Sequence, residues 1–199
     1  MIHTLSHLAL QPGLDGHFES YETLQLPYPR LALHFLRRFA YIVGPIMARR
    51  GWTVPLLSEL PPSSSCYGIC HTRTYYTRNR FGITSKARVP LRIELRLRTR
   101  TGFAHPYCVV RTLLHELAHL EYGHHFVGFY RFNQVLLDEL VRVVESNEGE
   151  RDVGFREVPG AIADTKEIVG TIMGDLKTCF KGLLGVDQKG IEDKNRIGT

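Results

Sequence analysis

The chain has 199 residues, 43% of them apolar and 23% charged, with a formal net charge of +5, enough for one domain with a core and an appendage. Its cysteines, Cys66, Cys70, Cys108 and Cys179, are too few for a disulfide scaffold. No apolar run approaches the ~20 residues of a membrane-spanning helix, and residues 1–7 lack the basic-then-apolar layout of a secretory leader, so a reducing compartment is expected.

Residues 1–29 show little periodicity, end in Pro27 and Pro29, and read as an irregular arm. Residues 31–50 repeat apolar side chains at helical spacing (Leu31, Phe35, Leu36, Phe39, Ile42, Val43, Ile46, Met47), with Gly44-Pro45 expected to bend or interrupt the helix. A short strand over 52–60 runs into the turn-forming stretch Pro61-Pro62-Ser63-Ser64-Ser65. Residues 66–82 are aromatic and basic, and their pattern assigns no element.

Residues 91–100 alternate: Leu91, Ile93, Leu95 and Leu97 on one side; Arg92, Glu94, Arg96, Arg98 and Arg100 on the other. That is a half-buried strand with a basic outer face. A turn at Thr101-Gly102 leads to a helix over 107–122, whose core stripe is Val109, Val110, Leu113, Leu114 and Leu117. A further helix over 127–144 is anchored by Phe132, Val135, Leu136, Leu140, Val143 and Val144. Residues 146–150 form a polar break, and the extension 146–199 carries one amphipathic helix through Ile168, Ile172, Met173, Leu176, Phe180 and Leu183. Met173 fits a core role in it.

The chemistry sits in Leu114-His115-Glu116-Leu117-Ala118-His119. On a helix His115 and His119 lie one turn apart on one face and can hold one Zn²⁺, while Glu116 can take a proton from the water that the metal activates. Gly123 can end the helix and let His125 return as a third ligand. Spacing alone leaves His124 and Glu121 open for that place. Three protein ligands and a vacant fourth position describe a catalytic zinc rather than a structural one. Tyr122 and Tyr130 flank the motif and could donate to an oxyanion, although packing is the commoner role for such tyrosines. Cys66, Cys70 and His71 resemble half a metal knuckle, but no second pair sits at a suitable distance.

From Arg73 to Arg100 nine basic residues face the single acid Glu94. This suggests a polyanionic partner, nucleic acid first, with Arg92, Arg96, Arg98 and Arg100 as the DNA-facing row; a solvated strand face is the plainer alternative.

Three segments together resemble the WLM-domain metalloproteases, relatives of the SprT and Spartan proteases. They are Val43-Gly44-Pro45-Ile46-Met47-Ala48-Arg49-Arg50-Gly51-Trp52 with Leu56-Leu57-Ser58-Glu59; the arginine-alternating strand; and the histidine motif with Gly123, His125, Phe129-Tyr130 and Leu136-Leu137-Asp138-Glu139-Leu140. The match spans about residues 35–145. The resemblance implies a small zincin-like α+β domain over 30–145, a short mixed or antiparallel sheet packed on helices. It implies one Zn²⁺ on His115, His119 and His125, and Glu116 as general base. It further implies proteolysis of proteins crosslinked to DNA in the nucleus, with SUMO and an AAA-type unfoldase as partners. Two other readings stand beside it: a zinc peptidase indifferent to DNA, and a DNA-binding protein with a structural zinc.

Overall fold

Tyr21, Leu57 and Ile93 stand in register on three neighbouring parallel strands, all fully buried, and they mark the centre of the sheet. The computed structural model describes residues 11–13, 16–82 and 84–145. The elements are β1 (Gln11–Pro12), β2 (Phe18–Glu22), α1 (Pro29–Arg50), β3 (Val54–Glu59), β4 (Gly68–Arg78), β5 (Thr84–Leu95), α2 (Pro106–Ala118) and α3 (Val127–Glu145). The strand order is β1-β2-β3-β5-β4, with β2, β3 and β5 parallel and the outer pairs antiparallel. Among the described residues, this mixed sheet with three helices is the α+β class that the family resemblance implies. The expected extension 146–199, with its helix and Met173, lies outside the described residues.

The irregular arm expected over residues 1–29 is corrected in its described part. Phe18, Tyr21 and Leu24 are buried, and β2 pairs in parallel with β3. A five-residue strand with so few apolar positions shows no periodicity by itself; its partner supplies the order.

The helix α1 begins with Pro29 in its first turn, where a missing N–H costs nothing, and ends at Gly51 with φ 63°. The amides of Gly51 and Trp52 return to the carbonyls of Ala48 and Met47, closing the end. It runs unbroken through Gly44-Pro45. Pro45 forfeits one backbone bond, and the buried run Phe39, Ile42, Val43, Ile46 and Met47 holds the helix across the gap. By length and composition α1 could cross a membrane, more apolar than the sequence reading allows. Here 61% of that stretch is buried within the protein, as in a core helix.

Arg50, at the end of α1, makes a two-pronged ion pair to Glu139 of α3, at 2.7 and 2.5 Å. Trp52 then donates its indole N–H to Glu121 at 3.1 Å, tying the segment after α1 to the segment after α2. Along α3, Phe129, Leu136, Leu140 and Val143 are buried, whereas the expected anchor Val135 is exposed.

Candidate active site

Helix α2 opens on Pro106 and buries Val109, Val110, Leu113, Leu114 and Leu117. That stripe turns His115 and His119 toward the other face, half-buried and one turn apart. The helix stops at Ala118, with His119 as its cap, a turn earlier than the expected end near Tyr122. The amides of His119 and Leu120 bond three residues back, which tightens the last turn. Arg88 of β5 takes the carbonyl of His119 at 2.8 Å. Gly123 therefore does not end the helix. It is small for another reason: a Cβ there would run into Nη2 of Arg88, in the path of that guanidinium.

The chain after α2 folds back and brings His125 to the other two histidines. One nitrogen from each of His115, His119 and His125 falls within 4.8 Å of the others, and Nε2 of His115 and Nε2 of His125 are 2.8 Å apart. The Nδ1–H of His119 donates to the carbonyl of Tyr122 at 2.9 Å, which leaves its Nε2 as the free electron pair. Beneath all three rings lies Phe129, fully buried, with centroid distances of 4.7, 4.6 and 4.6 Å to His115, His119 and His125. Burial pushes the His115 imidazole down to about 4 and lowers that of His119 as well. Three converging imidazole nitrogens over one apolar floor make a donor set suited to Zn²⁺. His124 is exposed and packs against Phe126, and Glu121 is turned to Trp52, so neither joins the cluster.

Glu116 is only 5% exposed and lies under strand β4. The backbone N–H of Cys70 hydrogen-bonds its carboxylate, while burial, the larger influence, pushes its carboxyl up to about 7. Gly68 makes the approach possible. A Cβ there would stand 2.6 Å from Cγ2 of Thr112 and 2.7 Å from Oε1 of Glu116. Gly68, Arg88 and Phe129 go unassigned in the sequence reading; only Phe129 has a signal there, inside the segment that carries the resemblance.

A profile of the WLM domain matches residues 16–173. The chain belongs to the WLM-domain family. A curated Schizosaccharomyces pombe relative, "DNA-dependent metalloprotease WSS1 homolog 2", is 30% identical over 135 residues, 67% of this chain and 45% of the relative. The chain thus spans less than half the length of that relative. The crystal structure of Wss1 from Saccharomyces cerevisiae matches with a TM-score of 0.54 at 25% identity, over 68% of this chain and 98% of that one.

The arginine row expected to face DNA does not form one surface in this WLM domain. β5 ends at Leu95, and the alternation of burial continues to Leu97 but fails at Arg98. Arg98 is 8% exposed; its Nε donates to Glu59 at 2.5 Å, its Nη1 donates to the carbonyl of Pro27, and it stacks over Phe103. It is a structural ion pair and does not face DNA, which corrects the sequence expectation. Arg96 donates to the carbonyl of Ser64 and lies 4.1 Å from the ring centre of Tyr67. Arg92 is exposed but paired to Glu94 at 2.9 Å, and Arg100 sits apart in the exposed turn.

Nor do Cys66, Cys70 and His71 make a knuckle. Successive side chains of β4 point to opposite faces: Cys70 lies near Glu116, with its thiol pushed up to about 12 by burial, while His71 sits 3.6 Å from Glu94. Tyr122 packs on Phe132, as the plainer reading of that residue holds. Tyr130 is exposed and stacks beside His125, at the rim of the cluster with Phe126 and Val127.

Proposed function

We propose that this chain is a zinc-dependent endopeptidase that cleaves proteins crosslinked to DNA. The convergence of three imidazoles beside one buried carboxylate, in a WLM domain, carries the reading. His115, His119 and His125 are its ligands, for one Zn²⁺, and Glu116 is its base. When bound there, zinc would lower the pKa of a water to about 7 and polarise the scissile carbonyl. Glu116 accepts the proton that this water loses and returns it to the leaving amine. A carboxyl lifted to about 7 is suited to both tasks near neutral pH. Phe129 and the Tyr122 carbonyl hold the imidazoles in place, and the Cys70 amide and Gly68 hold the base.

An extended substrate finds no open edge along β5. That strand is paired on both sides, by β3 and β4. β4 is the edge strand on that side of the sheet among the described residues, and it passes over Glu116, so an extended substrate would add along β4.

The DNA part of the proposal rests on the name of the S. pombe relative, "DNA-dependent metalloprotease". Family resemblance alone supports a nuclear location and SUMO and AAA-type unfoldase partners. Three histidines cluster without a fourth acidic, cysteine or histidine donor among the described residues, which favours a catalytic metal over a closed structural one. The test offers the zinc-loaded chain one protein in two forms, crosslinked to single-stranded DNA and free. Cleavage that needs both zinc and DNA is expected. Equal cleavage of the free protein would favour the DNA-indifferent peptidase, and no cleavage of either form would refute the enzyme.

A further inference from the structure

We propose that the outer part of the β4–β5 hairpin, residues 72–90, is an arm that binds single-stranded polynucleotide; this rests on the DNA part of the function proposed above and names the surface that serves it. The hairpin bulges between His71 and Thr72. Beyond the bulge the two strands continue as an antiparallel ladder from Thr72↔Pro90 to Arg78↔Thr84. Residues 72–90 contain no aspartate or glutamate. Arg73, Arg78 and Arg80 are exposed, in contrast to the buried Arg98 and the pinned Arg96.

Aromatic rings stand among these arginines. Tyr76 is 70% exposed and Phe81 73%, and Tyr75 is also exposed. Arg80 lies 4.9 Å over the ring of Phe81 at the tip. An acidic peptide would satisfy the arginines but not the rings. A duplex offers phosphates but keeps its base faces stacked inside. Unpaired bases on a phosphate backbone satisfy both, by stacking and by charge.

The arm also has a direction. Cross-strand partners share a face, so Tyr76 and Arg78 lie on the face of Arg88, whose guanidinium reaches the carbonyl of His119. A strand held on Tyr76 and Arg78 is led toward the end of the metal helix. That is where a protein attached to the strand would have to be presented.

The test uses fluorescence anisotropy on the full chain with three labelled probes of about 12 nucleotides or base pairs: oligo(dT), oligo(rU) and a blunt DNA duplex. Two double variants are compared, Tyr76→Ser with Phe81→Ser, and Arg78→Gln with Arg80→Gln. Each is first shown to match the parent in zinc content and unfolding midpoint. The aromatic variant is expected to weaken oligo(dT) binding about tenfold or more and to leave duplex binding unchanged. The arginine variant is expected to weaken all three. It should also flatten the slope of log K against log salt on the single strands, by about 0.7 for each phosphate that an arginine no longer neutralises. Oligo(dT) and oligo(rU) should bind alike, since stacking and charge do not read the 2′-hydroxyl. If oligo(dT) binding survives both variants, the arm is not the site, and the proposed protease stands without it. Sensitivity to the arginines but not the rings would overturn stacking, and with it the single-strand assignment. A parent chain that binds none of the probes would overturn the arm together with the DNA part of the proposed function.

Discussion

Gly68 faces the carboxylate of Glu116 so closely that a Cβ would lie 2.7 Å from Oε1 and 2.8 Å from Cγ. An edge strand of the sheet and the proposed base are therefore set against each other by one missing methyl group. Gly68→Ala should displace Glu116 and slow peptide cleavage by about ten- to a hundredfold, because small misplacements of a reacting group are costly. Zinc content should not change. An unaltered rate in the alanine variant would show that Glu116 has slack the structure does not display.

The third histidine is separable from its neighbour. His125→Ala should lose stoichiometric zinc and His124→Ala should keep it, as measured by elemental analysis after dialysis. The reverse result would reassign the ligand.

Arg98 is predicted to act on stability and not on DNA. Arg98→Gln strips the buried Glu59 of its cationic partner and should cost about 3–5 kcal/mol in denaturant unfolding. Arg100→Gln, in the exposed turn, should cost little. A fully stable Arg98→Gln with weakened DNA binding would return this arginine to the DNA-facing row.

The contrast between Arg98 and the rest of β5 shows what the sequence could carry. Ile93, Leu95 and Leu97 alternate and are buried as read, because a strand's period of two is a local property. Arg98 keeps the phase of that alternation yet turns inward, because Glu59, far away in sequence, supplies a buried charge. The histidine motif was legible for a similar reason: one helical turn brings His115 and His119 together. The return of His125 was legible as a possibility, but its choice over His124 depends on Phe129 and the fold of the loop. Gly68 and Arg88 left no local signal, since each matters only for the element it meets. The β2 strand and the outer hairpin were missed because neither has an apolar face of its own.

Acid should loosen the joint between α1 and α3. The hydrogen bonds and charge of Arg50 hold the Glu139 carboxyl below its ordinary value of 4.5. A carboxyl depressed in the folded state contributes stability that is fully present above the ordinary value and is lost as the pH falls through the folded one. Glu139→Gln should therefore be less stable than the parent at pH 7 and show a shallower loss of stability below about pH 4.5. Parallel curves for the two proteins would remove the ion pair from the acid response.

The most direct test of the proposed enzyme is Glu116→Gln in the full chain, with zinc content and cleavage of a DNA-crosslinked protein measured on the same sample. Glutamine keeps the shape of the side chain but cannot accept the proton. One zinc per chain with cleavage slowed by about a hundredfold or more is the expected result. A zinc-replete Glu116→Gln chain that cleaves at the parent's rate would contradict the assignment of the base.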